Sequence, residues 1–362
     1  MEEKGISVSD LSIDVEDMIS ELNNKEKKKT DDAKSGIAKY AMIAKKFGID
    51  LIPFIPKHKK YYVKFQLHAP LAIANAIRRG ICSECPCISM LCDYKKDITT
   101  DDEFIKVDEV RKRIEAIPFQ QDGIPELSYM QENWEIKLKY TNTTSTPKWC
   151  HSSDITVYDS VKKSAIEDLF EYMIPIVLVG SGKSIEARMT ISLGRGETNG
   201  NAYKICGAWT YKDLDISGKK HILSYEPTRF LIGYQTYGNC KKSSHIMITI
   251  CKDIKSRILK FAKIIEEYNK DPLIDRIGDE LHFTNTGDMY KYTFYDETRT
   301  IVNLFSDYSR SLSPENFNVP GRDHPSQPTA FVKIIHTQPH SIMLDASKKI
   351  IEDLDYLLEF FS

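Results

Sequence analysis

The chain has 362 residues, 41% hydrophobic and 28% charged, with a formal net charge of −2. That length allows two or three domains with more than one core, and the near-neutral charge argues against a protein that grips DNA by itself through the phosphates. No apolar run approaches a membrane span, the start has neither a basic region nor an apolar core and so does not read as a secretory signal, and eight cysteines in that context imply reduced thiols.

Residues 1–49 read as a charged N-terminal extension. Lys25 to Lys29 has the composition of a solvated stretch, a short helix fits Ile37 to Phe47, and ordered structure is predicted to begin near Asp50 with Leu51 to Ile55. Tyr61 to His68 alternates as a strand does. Pro70 then opens a helix, where its missing N–H costs nothing. Ile73, Ala74, Ile77 and Ile81 recur along it at helical spacing. Asn75, Arg78 and Arg79 lie on the edge of that stripe and beyond it. Pro86 ends the helix and leads into a strand-like Cys87 to Met90.

From Ile98 to about Tyr225 turn residues and short strands dominate. Strands are predicted at Trp134 to Tyr140, Ile155 to Val157, Ile185 to Leu193 and Ile205 to Tyr211, with a short helix over Val110 to Ile117. The helical period then returns. Ser244 to Cys251 reads as a strand, and Ile254, Ile258, Phe261, Ala262, Ile265 and Tyr268 mark an amphipathic helix ended by Asp271 and Pro272. A strand at Met289 to Tyr295 precedes a helix with Ile301, Leu304, Phe305, Tyr308 and Leu312 on one face. A loop with Pro314, Pro320, Pro325 and Pro328 leads to a strand at Thr329 to Thr337. The last helix, Ser341 to Phe361, buries Met343, Ile350, Leu354, Leu357 and Phe361. Strand–helix, connection, strand–helix thus occurs twice, and two small αβ units of this kind can bury their helix faces against each other.

Asn75, Arg78 and Arg79, followed by Glu84 and Pro86, resemble the signature of the RNA polymerase alpha-like subunits. Later stretches extend the resemblance over nearly everything after Asp50. Val110 to Pro118 resembles the family's short helix ending in Ile-Pro, and Ser152 to Ile155 its Ser-Asp-Leu segment. Phe230 to Gly238 is similar to the strand that re-enters the dimerisation domain, with Gln235 in the Glu place. Asp296 to Leu304 resembles the eleventh-subunit helix motif, with Arg299 for its His and Val302 for its Gly, and His324 and Pro325 fit its His-Pro. Gly194 and Gly196 begin the family's Gly-x-Gly stretch, but the His, Lys and Trp that follow it are not found at that spacing.

The resemblance implies an α+β fold in which a third-subunit type and an eleventh-subunit type are fused. Residues 50–97 and 225–272 would form the first dimerisation unit, 98–224 its β-rich insertion, and 273–362 the second unit, the two pairing as an intramolecular pseudo-dimer. Its core would include Ile73, Ile77, Ile258, Phe261, Ile265, Ile301, Leu304, Phe305, Leu354 and Leu357. Asn75, Arg78, Arg79 and Glu84 would be the subunit interface. The implied role is that of a non-catalytic assembly platform that docks the largest and second-largest polymerase subunits and a small tenth-subunit-like one, meeting nucleic acid only through the complex and no membrane. The fusion suggests a large DNA virus, hence a cytoplasmic viral factory and virion, or otherwise a nucleus.

Two motifs support a rival reading, a stand-alone metal- or nucleotide-binding protein. Cys82, Cys85, Cys87 and Cys92 are dense, but they lie at a helix–strand corner and no second C-x-x-C pair accompanies them. The expectation is small buried thiols and no metal. Ile174 to Ser184 imitates a phosphate loop, but Val177 stands where its first glycine belongs. No helix pattern clearly follows, so a hairpin turn is predicted. Asp296–Glu297 and Asp101 to Glu103 lack the spacing of catalytic metal-binding aspartates, and Asp296 and Glu297 read as charges at a helix N-terminus. No catalytic residue and no cofactor are assigned.

Overall fold

The computed structural model describes residues 6–16, 60–121, 123–167, 169–170, 173–203, 206–214, 227–236, 240, 242–268, 276–315, 317–324 and 329–362. Strands β1 (Ser7–Glu16) and β2 (Lys60–His68) lead into helix α1 (Leu71–Arg79). The segment in which strands dominate contains β3 (Cys87–Leu91), β4 (Ile98–Thr100), α2 (Val107–Glu115), α3 (Leu127–Asn133), β5 (Trp134–Thr141), β6 (Lys148–His151), β7 (Ile155–Asp159), β8 (Ser164–Ala165), β9 (Pro175–Val179) and β10 (Ser184–Gly194). Then come β11 (Cys206–Asp213), β12 (Arg229–Thr236) and α4 (His245–Tyr268). The C-terminal part is β13 (Arg276–Ile277), β14 (Leu281–Thr286), β15 (Met289–Tyr295), α5 (Arg299–Leu312), β16 (Asn318–Gly321), β17 (Thr329–Ile334) and α6 (Pro339–Phe361).

Among the described residues the fold is mixed α+β, with four antiparallel sheets. Their strand orders are β1-β2-β12-β11, β3-β10-β5-β7-β8 with β4 also on β10, β13-β14-β15-β17-β16, and β6-β9. The described residues form two apolar cores. The larger is shared by the first and third of these sheets and by α1, α4, α5 and α6. All ten residues expected in the dimer core, Ile73, Ile77, Ile258, Phe261, Ile265, Ile301, Leu304, Phe305, Leu354 and Leu357, lie in it with no solvent exposure. Edge-on ring contacts tie N-terminal to C-terminal elements within it, Phe65 on Phe361 at 5.2 Å and Phe261 on Phe294 at 4.8 Å. The smaller core lies beneath β5, β7 and β10 and includes Val110, Ile114 and Met130 from α2 and α3.

Several expectations are corrected. Ser244 to Cys251 is not a strand; from His245 it is the first part of α4. Ile246, Met247, Ile250, Cys251 and Ile254 are buried at helical spacing, while Ile248 and Thr249 are only half-buried. A β-branched run had disguised one helical face. Order does not wait until Asp50, because β1 pairs with β2 along the edge of the first sheet. Helix α3 and strands β13, β14 and β16 had no expectation attached to them. Strand β11, within the span read as the insertion, pairs with β12 in the first sheet. The predicted stretches at Lys25 to Lys29, Ile37 to Phe47 and Leu51 to Ile55 lie outside the described residues, as do Gly238, Asp271, Pro272, Pro325 and Pro328.

Candidate interaction site at the first helix

Helix α1 runs directly into a single wider turn, Gly80–Glu84, closed by a hydrogen bond from Cys85 N to Gly80 O at 2.9 Å. Such an i→i+5 turn shifts the register of the side chains that follow. Gly80 is needed there because a Cβ would come within 2.6 Å of Ile250 Cγ2 on α4. The wide turn brings Glu84 beneath the helix, where it is 3% exposed.

The two adjacent arginines have different surroundings. Arg79 Nε donates to Glu84 Oε1 at 2.6 Å and to Thr300 Oγ1 at 2.7 Å, and its Nη2 donates to Glu197 Oε1 at 2.9 Å. Arg78 stacks over the Tyr211 ring with its guanidinium carbon 5.6 Å from the centroid, and its Nε reaches Asn75 Oδ1 at 3.4 Å. No carboxylate among the described residues pairs with Arg78. Asn75 and Arg78 are half-buried at the helix surface.

Beneath Arg79 lies a buried polar network that sequence reasoning missed. Arg257 of α4 forms a two-pronged pair with Glu297, through Nε at 3.0 Å and through Nη2. Its Nη1 lies 3.5 Å from Glu84 Oε2 and 3.4 Å from Asp253 Oδ2. Glu84 also accepts from Thr300 Oγ1 at 2.6 Å and from Thr298 Oγ1 at 3.2 Å. Burial alone would push the Arg257 guanidinium down, but the hydrogen bond and charge of Glu297, then Asp253 and Glu84, hold it above its ordinary value. Burial raises the Glu197 carboxyl, and so does the Glu84 charge, against the pull of Arg79.

Glu297 therefore acts as the partner of Arg257 while standing, as expected, at the N-terminus of α5, where its Oε2 also accepts from the backbone N–H of Thr298 at 3.2 Å. Thr298 caps α5 by accepting from Thr300 N at 3.1 Å, and exposed Asp296 precedes it at φ +54°. One signal for the network was present in the sequence: Arg257 sits at core spacing between Ile254 and Phe261, where a lone charge needs a buried partner. Glu197 and Tyr211 had no comparable signal, since each arrives from a distant segment.

The residues of the two rival motifs have definite places in the structure. Cys82 is exposed, whereas Cys85, Cys87 and Cys92 are buried. Burial raises the Cys85 thiol well above its ordinary value and pushes Cys87 and Cys92 up to about 12. Among the described residues no three His, Cys, Asp or Glu side chains converge as metal ligands.

The Gly180 to Ser184 stretch is a turn, but not a hairpin, because β9 pairs with β6 while β10 pairs with β3, β4 and β5. Its backbone is already occupied by internal carboxylates. Gly180 N donates to Asp102 Oδ2 at 2.8 Å and Ser184 N to Asp101 Oδ1 at 2.6 Å, and Lys183 Nζ donates to Asp101 O at 2.9 Å. Gly182, at φ +69°, takes the left-handed position of the turn.

Among the described residues no helix is long and apolar enough to cross a membrane. Comparison of the chain with protein-family models and with curated proteins gives no match.

Proposed function

We propose that the chain is a non-catalytic assembly subunit of a multisubunit DNA-dependent RNA polymerase, of the alpha-like kind. In this reading two αβ units in one chain pair as a pseudo-dimer, and the paired unit docks the largest and second-largest subunits. Those subunits supply the catalytic centre and the nucleic-acid channel, and a small tenth-subunit-like protein joins the same platform. The observation that carries the reading is the contrast on α1: Arg79 is tied through Glu84 and Thr300 into the core, while half-buried Arg78 rests against Asn75 and Tyr211 with no carboxylate among the described residues paired to it.

A guanidinium held over a ring keeps its charge and loses little rotamer freedom on docking. It can therefore bind a partner's carbonyl or carboxylate at small entropic cost. Arg79, Glu84 and the network below give α1 a rigid base. Reconstitution with the separately purified large subunits tests the reading. Wild type should bind both, and Arg78→Glu should bind only one, with an unchanged melting temperature. Failure of wild type to bind either subunit would overturn it.

A further inference from the structure

The geometry points to a second docking surface, on the outer face of the five-stranded sheet. It is suited to a protein segment that lays an apolar side chain on Phe317, Val319 and Ile335 and sets a carboxylate beside Lys333. The core side of β16 and β17 is Asn318, Ala330, Val332 and Ile334, all buried. Alternation therefore turns Val319, Phe331 and Lys333 to the outer side. Ile335 N donates to Phe317 O at 2.9 Å, which continues the ladder by one step and adds Phe317 and Ile335 to that side. Phe317 is 53% exposed, Ile335 40% and Val319 37%. Three large apolar side chains thus stand together in water on adjoining strands, which is the kind of patch that marks an interaction site.

Charge indicates what covers it. Lys291 of β15 and Lys333 of β17 are directly opposite in register, where like charges repel. Both ammonium groups ride on the Phe331 ring, 4.6 and 5.3 Å from its centroid. Asp323 answers Lys291 at 3.0 Å. No carboxylate among the described residues answers Lys333. A partner acid would complete the set.

A second copy of the chain fits poorly, because the same face brings two more lysines, Lys291 and Lys333, while its Asp323 is already held by Lys291. Pro320 on the edge strand β16 lacks an N–H, which works against edge-to-edge pairing as well. The surface is separate from the arginine face. Arg310 Nη2 donates to Asn318 O at 3.2 Å, and Arg310 lies about 15 Å along α5 from Thr300, which touches Arg79.

This inference rests on the polymerase reading, and the partner it names is the large subunit that does not dock at Arg78. The experiment is reconstitution of the full chain with each large subunit separately, using wild type, Arg78→Glu, Lys333→Glu and the double variant Phe317→Ser with Ile335→Ser. The last two should each weaken binding of one large subunit by about tenfold or more, as for loss of an interface anchor. They should leave untouched the subunit that Arg78→Glu loses, and all three variants should melt with wild type. The effect of Lys333→Glu should shrink as salt rises.

If wild type binds both subunits and the strip variants bind both equally well, the second surface is wrong while the polymerase reading stands. The second surface is equally wrong if the variants instead abolish a concentration-dependent self-association of the chain. If wild type binds neither subunit, both fall together.

Discussion

Around Glu84 the charges come from segments far apart in the chain: half-buried Arg79 and buried Glu84 at α1, and buried Arg257 on α4 and Glu297 just before α5. At the Gly180 to Ser184 turn, by contrast, Asp101 and Asp102 accept mainly from backbone N–H groups of one turn. The first arrangement exchanges charge for charge inside the core, so removing one member leaves another buried and uncompensated. The second replaces water around a turn, so removing one member loses hydrogen bonds but strands no ion. The same residue types thus register distant segments in one place and fix a local corner in the other.

Substitutions can break this comparison in graded steps. The largest effect is expected for Phe261→Asp, which puts an unpaired carboxylate where the ring meets Phe294. A loss of more than about 4 kcal/mol is expected, read as loss of the cooperative thermal transition. Next is Arg257→Ala, which leaves the buried Glu297 without its cation and Glu84 with Arg79 alone, and should cost about 3–5 kcal/mol in denaturant unfolding. The triple variant Arg257→Met, Glu84→Gln, Glu297→Gln should recover a good part of that loss. If Arg257→Ala costs no more than an exposed pair, the network does not register the segments.

Asp102→Ala removes the acceptor of both Gly180 N and Phe104 N. Asp102 is 5% exposed, so about 1–3 kcal/mol should be lost, and hydrogen exchange should rise at the turn while α1 stays protected. Asp101 makes a pH-dependent version of the same test. The Ser184 backbone N–H, opposed by partial desolvation, holds its carboxyl below the ordinary value. The stabilisation is therefore present above the unfolded pKa and disappears as pH falls through the lower folded one. Asp101→Asn should flatten that acid-side dependence in thermal melts. The smallest stability effect belongs to Arg78→Glu, within about 0.5 kcal/mol, although its effect on docking is expected to be large. A destabilised Arg78→Glu would mean that Arg78, like Arg79, serves the fold.

Helical spacing in the sequence was enough to mark the faces of α1, α5 and α6, and the far part of α4, because apolar side chains repeating every three or four residues can be buried together only on a helix. Alternation likewise marked β2, β10 and β15. The arginine pair and Glu84 were visible as residues. That Arg79 pairs with Glu84 and Thr300 while Arg78 rests on Tyr211 was not visible, because this depends on the wide turn at Gly80–Glu84 and on Thr300 and Tyr211 arriving from elsewhere. The start of α4 was hidden for a related reason: Ile246, Ile248 and Ile250 satisfy a period of two locally, and only a packed neighbour chooses between the two faces. The pairing of Arg257 with Glu297, and of Asp101 and Asp102 with a turn about eighty residues on, was decided by tertiary structure. A sequence carries the cost of burying each of these charges, but it does not carry the distances between them, and those distances decide whether a charge is paired, exposed or left for a partner to fill.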